Sequence, residues 1–132
     1  MKYELSFRFP KEERITGEAR IEGLFKQGRS FVAYPLRVVY HQTESLHSKT
    51  VAVLISIPKK RIKSAVKRNR MKRVIREAYR QNKHLLNLNS KLDMNHIDVA
   101  FVYLKDEIVD YVAIEKGVQK ALKELSNRIG KE

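Results

Sequence analysis

The segment KRNRMKRVIREAYR, residues 67–80, combines the pattern of an amphipathic helix with a high density of positive charge. Seven of its fourteen residues are Lys or Arg, and its single acid is Glu77. At about 100° per residue, these residues and the next few divide between two sides of a helix. One side carries Met71, Val74, Ile75, Ala78, Asn82 and Leu85, and a neighbouring side carries Arg68, Asn69, Lys72, Arg73, Arg76, Arg80 and Lys83. We therefore predict a long helix that packs through the first side and presents cations to a partner.

The positive charge of the chain is concentrated around this helix. Residues 59–83 hold twelve Lys or Arg and one acid, a net charge of +11 out of the +13 that the whole chain carries. Such a charge weakens the compact state and speeds encounter with a polyanion, and its concentration in one segment indicates a binding patch. A solvated helix face is the alternative, but such faces usually mix signs at i,i+4. The sequence therefore favours nucleic acid as the partner.

Asn69, between Arg68 and Arg70, has two interpretations. Asn is a mediocre residue inside a helix unless its amide has something to bind. It could contact a base edge or a ribose hydroxyl while the neighbouring arginines bind phosphates, or it could take a local capping role near Ser64. The residues themselves leave both interpretations open.

Apolar patterns outside the basic segment predict the rest of an α+β domain. A short helix is predicted over residues 17–27, with Thr16 as its N-cap and Gly28 as a left-handed terminator. Pro35 interrupts the β-forming residues 30–41, which predicts two short strands or one bent edge strand. The remaining predictions are strands at 50–58 and 97–104, a loop at 87–96, and a final helix at 111–129 with Asp110 as its N-cap. This order indicates a two-layer or three-layer α-β sandwich.

Composition excludes several classes of protein. The chain has 132 residues and no cysteine, so we expect one domain over residues 1–132, without disulfides or thiolate metal sites. No run approaches the roughly 20 apolar residues of a membrane span, and we expect a cytoplasmic protein. The sequence shows neither the paired carboxylates nor the nucleophile-base pattern that would indicate a protein enzyme. His96 and Asp98 come nearest to a metal pair, and we expect them to mark a loop end.

Two motifs resemble the protein subunit of bacterial ribonuclease P. Lys59-Lys60 and the run at 65–80 are similar to the family's signature helix and the basic pair before it, with an Arg-Asn-Arg core. Upstream, EERI at 12–15 and GLFKQGRS at 23–30 are similar to the family's N-terminal pattern, an Arg followed by a short helix that ends in Phe-Lys-x-Gly. The resemblance covers nearly the whole chain.

This resemblance implies a fold and a function. Family members assist a ribonucleoprotein endonuclease that removes the 5′ leader from precursor tRNA, and the chemistry belongs to the RNA subunit with bound Mg²⁺. We therefore expect the RNA subunit and precursor tRNA as partners, no DNA, no membrane, no catalytic residue and no cofactor bound tightly by the protein. The implied fold is an αβββαβα sandwich with a mixed four-stranded sheet, ribosomal protein S5 domain 2-like, in which residues 1–15 are partly extended. Its βαβ crossover is left-handed, where general rules favour a right-handed one.

The resemblance also assigns site residues. The positions that correspond to RNA contacts are Lys59, Lys60, Arg68, Asn69, Arg70, Lys72, Arg73, Arg76 and Arg80. Phe25 and Tyr40 match aromatic positions of a cleft, between the first helix and the sheet, that holds the single-stranded leader. Aromatic faces stack on unpaired bases with little sequence preference, at roughly 1–3 kcal/mol per base. Ordinary core packing is the alternative for both rings, and protein-bound metal sites stay open.

Three residues depart from the family's pattern. Ile21 stands where a second cleft aromatic is common, and Pro58 and Ile62 alter the turn before the basic helix.

A structural, ribosomal-type RNA-binding protein is the competing function, because a basic helix on an α+β domain would serve it equally well. Such a protein would not need the Phe-Lys-x-Gly helix or the cleft aromatics. A DNA-binding regulator would place its basic helix after the short turn of a helix-turn-helix, whereas a predicted strand precedes it here.

Overall fold

Helices and strands follow one another in the predicted order αβββαβα. The computed structural model describes residues 14–44, 51–86 and 95–129. Its elements are α1 (Glu18–Gln27), β1 (Arg29–Ala33), β2 (Leu36–Glu44), β3 (Val51–Ser56), α2 (Ala65–Asn82, followed by a 3₁₀ turn at Lys83–Leu86), β4 (Asn95–Tyr103) and α3 (Tyr111–Ile129). None of these helices is both long and apolar enough to cross a membrane.

The four strands form one mixed sheet, as predicted, in the spatial order β1-β2-β4-β3. The β1/β2 and β2/β4 pairs are antiparallel, and β3 and β4 are parallel. Parallel neighbours need a crossover connection, and α2 provides it between β3 and β4. The left-handed sense of this connection stays a prediction.

Helices cover both faces of the sheet, so the sandwich has three layers. Because side chains alternate along a strand, Val38 and Tyr40 of β2 join the large core under α2 and α3. Val39, between them, joins a smaller cluster with Leu24 of α1 and Ala100 of β4. The α1 helix therefore lies on one face of the sheet, and α2 and α3 lie on the other.

The interruption at Pro35 separates two strands, as one of the two alternatives predicted. Tyr34 and Pro35 form the turn of a β1–β2 hairpin, with a cis peptide bond between them. The β2 strand is nevertheless interior, because it pairs with β1 on one side and β4 on the other. The Leu104 amide donates to the Pro35 carbonyl at 2.9 Å and ties this turn to the end of β4.

Two predicted helix ends are wrong and one is confirmed. Gly17, with a φ of 94°, takes the N-cap position predicted for Thr16, and no side chain caps α1. Gly28 has an extended φ of −78° instead of a left-handed one; here a Cβ would come within 2.5 Å of the Leu24 carbonyl oxygen and 2.8 Å of that of Tyr40. Glycine is therefore required here because a side chain would not fit, and not because the backbone adopts a left-handed φ. Asp110 caps α3, because its Oδ1 accepts from the Ala113 amide at 3.0 Å.

Some predictions concern chain outside the described residues. Residues 1–13 and 87–94 lie outside them, and so does most of the predicted loop at 87–96. Of the N-terminal segment, Arg14 forms an isolated parallel bridge with Val53. His96 and Asp98 do not mark a loop end, because both lie within β4.

Candidate nucleic-acid interface

The α2 helix is anchored at its start and along its buried side. The Ser64 Oγ accepts from the Lys67 amide at 3.3 Å, which caps the helix. Met71 and Ile75 are fully buried against the sheet and α3, and burial of each such side chain is worth about 1.5–3 kcal/mol. Tyr79 is also buried, although the helical wheel placed it outside the apolar stripe. Tertiary packing therefore holds the helix in spite of repulsion among its cations.

Four exposed cations occupy every third position of α2: Lys67, Arg70, Arg73 and Arg76. We call these residues the α2 cation row. Lys67 was not among the predicted RNA-binding residues, whereas Arg70, Arg73 and Arg76 were. Of the remaining predicted residues, Lys59, Lys60 and Asn69 are also exposed, and Lys72 is half-buried. The structure thus presents most of the predicted set on one element and the turn before it.

Asn69 is not needed to cap the helix. Ser64 performs that function through its own side chain, and its carbonyl accepts from the Arg68 amide at 2.9 Å. Asn69 lies more than one turn further along and is exposed between the neighbouring arginines. Its amide is therefore placed for contact with a partner, which favours the first of the two interpretations.

Arg68 has a structural role that the sequence did not reveal. Its guanidinium donates to the carbonyls of Ile62 and Lys63, at 3.0 and 2.9 Å, and the side chain is half-buried. Ile62, a departure from the family's pattern, is buried in the core beneath this turn. The Pro58 carbonyl accepts from the amides of Arg61 and Ile62. The two unusual residues thus form a closed turn that Arg68 braces.

Arg80 is paired with an acid, whereas the sequence predicted that it would present its charge to a partner. Its guanidinium binds the Glu77 carboxylate at 2.7 and 3.1 Å. Hydrogen bonds from Arg80 and then Gln81 lower the pKa of Glu77, and the bond to Glu77 raises the pKa of Arg80. The i,i+3 spacing brings the pair together on one side of the helix. Glu77 therefore offsets one cation at the C-terminal end of the basic face.

Tyr40 is not in the predicted leader cleft. Its side chain is 2% exposed and lies in the core under α3, whereas Phe25 belongs to α1 on the opposite face and is 43% exposed. Tyr40 packs against Phe31 with ring centroids 6.1 Å apart, and Arg128 lies 4.6 Å above the Phe31 ring. The alternative of core packing is correct for Tyr40, because one step along β2 reverses the face to which a side chain points.

Other residues border the open part of the sheet on the α1 face. Val32 is 64% exposed, and it pairs across the strands with the exposed Arg37. Arg37 pairs in turn with the half-buried Val102 of β4. Ile21, where a second aromatic was expected, packs into the small core. Strand alternation places Arg37 on the same face of β2 as Val39. It could have predicted Arg37, and through strand pairing Val32, as residues of the α1 face if the pairing had been known.

A partly buried ion pair connects α1 to the sheet. Arg20 donates through Nη2 and Nε to the two carboxylate oxygens of Asp98, at 2.7 and 3.0 Å, and His96 Nε2 lies 2.7 Å from Asp98 Oδ1. We call these three residues the α1 ion-pair cluster. Burial alone would raise the pKa of Asp98, but the hydrogen bonds with His96 and Arg20 outweigh burial and lower this pKa to about 2.

The described residues contain no group of three or more His, Cys, Asp or Glu that could hold a metal ion.

The fold and this surface define a class of protein: a small, basic three-layer domain that presents a helix of cations on a mixed sheet. Residues 9–126 match the family model described as Ribonuclease P. The chain therefore belongs to the ribonuclease P protein family, as its motifs predicted.

Curated relatives support this assignment, and solved structures share the fold. The chain is 40% identical over 124 residues to the ribonuclease P protein component of two Porphyromonas gingivalis strains, covering 94% of this chain and 90% of each relative. It is 35% identical to that of Chlorobium phaeobacteroides, over 71% of this chain and 70% of the relative. The fold is similar to that of the RNase P protein from Thermotoga maritima, with a TM-score of 0.67 at 22% identity over 85% of this chain and 96% of that one. For the Staphylococcus aureus protein the TM-score is 0.60 at 24% identity, over 85% and 94%.

Proposed function

We propose that this chain is the RNA-binding protein subunit of ribonuclease P and assists removal of the 5′ leader from precursor tRNA. As a member of the family it is a component of an endoribonuclease holoenzyme. Its partners on this proposal are the catalytic RNA subunit and precursor tRNA, in the cytoplasm. The chemistry belongs to the RNA, and the protein supplies binding and orientation.

The α2 cation row is the observation that carries the proposal. Phosphates are bound by Lys and Arg with release of counterions, and the row presents four exposed cations on a firmly packed helix. Asn69, exposed among these cations, adds a group that can donate to and accept from a base edge or a ribose hydroxyl. Lys59 and Lys60 extend the same surface to the turn before the helix.

A second part of the proposal concerns the leader. Phe25 offers an exposed ring on α1, and Arg37 offers a cation on the sheet face that α1 only partly covers. Single-stranded RNA is bound without sequence preference by such rings together with positive charge. We assign the leader to this surface, with Val32 and Arg37 in place of Tyr40.

Mg²⁺ belongs to the RNA subunit on this proposal. It would supply charge neutralisation for the phosphates of the RNA. The protein's own residues would contribute cations to the same phosphates, and we expect these cations to reduce the concentration of Mg²⁺ that the holoenzyme needs.

Reconstitution with the cognate RNA subunit tests the main proposal. At near-physiological Mg²⁺, we expect 5′ leader removal to be much faster with the protein than without it. A structural RNA-binding protein would bind RNA but leave the rate of cleavage unchanged, and this result would contradict the proposed function.

Phe25→Ala tests the leader assignment. We expect it to weaken binding of the holoenzyme to leader-bearing precursor roughly 5- to 150-fold, the equivalent of one lost stacking contact, and to leave mature tRNA binding unchanged. Val112→Ala, at an exposed apolar residue on α3, is the matched control. Equal losses for the two RNAs would remove Phe25 from the leader site.

A further inference from the structure

The hairpin turn at Tyr34 and Pro35 forms a groove with α3, on the side of the sheet away from α1. The α3 helix packs on β1 and β2, and Gly117 allows the turn to approach it, because a Cβ there would come within 2.9 Å of Pro35 Cδ. The groove has a volume of about 330 Å³. We call it the Tyr34 groove; it is lined by Tyr34, Pro35, Gly117 and the three lysines Lys105, Lys116 and Lys120, together with the apolar Val109 and Ala113.

An exposed ring and three cations surround this groove. Tyr34 is 57% exposed, and Lys116 and Lys120 are exposed one helical turn apart. Lys105 is half-buried and 3.8 Å from Glu107, so part of its charge is already offset. In the described part of the chain, no Asp or Glu lines the groove. The larger cavity beside the start of α2 differs in this respect, because Asp106 and Glu107 line it together with cations.

We propose that the Tyr34 groove binds one unpaired nucleotide of the RNA subunit, with its base stacked on Tyr34 and its phosphate between Lys116 and Lys120. This proposal rests on the proposed function. A ring flanked by cations is the arrangement that binds unpaired RNA. The volume lies at the low end of the range for small-molecule sites, which suits one nucleotide and excludes a duplex.

The position of the groove selects the RNA subunit over the leader as the occupant. Phe25 and the exposed sheet residues lie on the α1 face, whereas the groove lies on the α3 face, beside β1. The α2 helix lies towards the opposite edge of the sheet, beside β3. A large folded RNA can contact both surfaces, and the groove would add a contact separate from that of the α2 cation row.

Equilibrium binding of the full-length protein to its cognate RNA subunit alone, over a range of salt concentrations, tests this proposal. We expect Tyr34→Ala to weaken binding on the order of 10-fold, and Tyr34→Phe, which keeps the ring, to bind within about 2-fold of the parent. The double variant Lys116→Ala/Lys120→Ala should reduce the slope of log K against log salt by up to roughly 1.4, at 0.7 per contact with a single strand. Lys123→Ala removes an exposed lysine of α3 outside the groove and should leave the slope unchanged.

Three results would overturn the proposal. In the first, Tyr34→Ala and the double lysine variant bind the RNA subunit as the parent does, with normal thermal unfolding. In the second, Lys120→Ala and Lys123→Ala reduce the slope equally, which would show a general effect of charge. In the third, RNA-subunit binding is normal but the holoenzyme binds precursor tRNA less tightly, which would make substrate the occupant. Arg70→Ala/Arg73→Ala, measured in parallel, reports on the proposed function independently of the groove.

Discussion

The α2 cation row and the α1 ion-pair cluster use charge in opposite ways. The first places like charges at the surface on a buried apolar base, and the second pairs opposite charges beneath a helix, where Asp98 is 8% exposed. Like charges at the surface repel, so they favour an anionic partner more than they favour the fold. A buried carboxylate stays ionised only if partners donate hydrogen bonds to it or offset its charge. The comparison separates the charge to which we assign RNA binding from the charge that holds α1, with Phe25, in position.

The largest expected effect is on the ion-pair side of this comparison. Asp98→Ala would leave Arg20 without its carboxylate partner and should lower the free energy of unfolding by about 2–3 kcal/mol. This loss is below the 3–5 kcal/mol typical of a fully buried pair, because the Arg20 side chain is 38% exposed. Urea unfolding measures it, and Asp98→Asn, which keeps an acceptor, should lose less. Equal stability of the parent and Asp98→Ala would break the comparison.

Acid should remove the contribution of Asp98. Its pKa is about 2 in the folded protein against an ordinary value of 3.8. Because the folded pKa is the lower one, the stabilisation is complete above about pH 4 and is lost as the pH falls through about 2. It is on the order of 2 kcal/mol. The difference in unfolding free energy between the parent and Asp98→Asn should therefore shrink between pH 5 and pH 3, and a constant difference would contradict this assignment.

On the binding side, Arg70→Ala/Arg73→Ala should weaken RNA-subunit binding and leave the fold intact. Two lost phosphate contacts reduce the salt slope by roughly 1.4–1.8 and weaken binding roughly 20-fold at 0.15 M salt. Surface substitutions usually change stability by less than about 0.5 kcal/mol. Salt titration and urea unfolding check the two parts, with Lys123→Ala as the control. An unchanged slope would show that α2 does not face the RNA.

The smallest effect is expected where the two uses of charge meet on α2. Glu77→Gln removes the carboxylate that pairs with Arg80, and should release this cation for phosphate binding. We expect the salt slope to steepen by at most roughly 0.9, the equivalent of one contact. Lys67→Gln, which instead removes a cation near the start of α2, should change the slope in the opposite direction. A shallower slope for Glu77→Gln would mean that the Arg80 pair helps to build the RNA surface.

Most predictions from local patterns were confirmed, apart from the two ends of α1, whereas the assignment of Tyr40 to one face of the sheet was wrong. The helices at 17–27 and 111–129 and the basic helix follow from periodicity over one or a few turns. The assignment of Tyr40 to the cleft failed because the face of a β2 residue depends on its register against β1 and β4. Arg68 was predicted as an RNA contact, but its bonds to the turn carbonyls depend on how that turn closes.

The amino-acid sequence by itself determined the amphipathic basic helix, the order of the elements and the family, because each depends on residues close together along the chain. Only the tertiary structure decided which cations are exposed, which are paired, and which rings are buried. Arg20 and Asp98 are 78 residues apart, and Tyr34 meets Gly117 only because the hairpin turn packs on α3. Such contacts form only when the helices pack on the sheet, because residues that are far apart along the chain become neighbours only in the assembled fold.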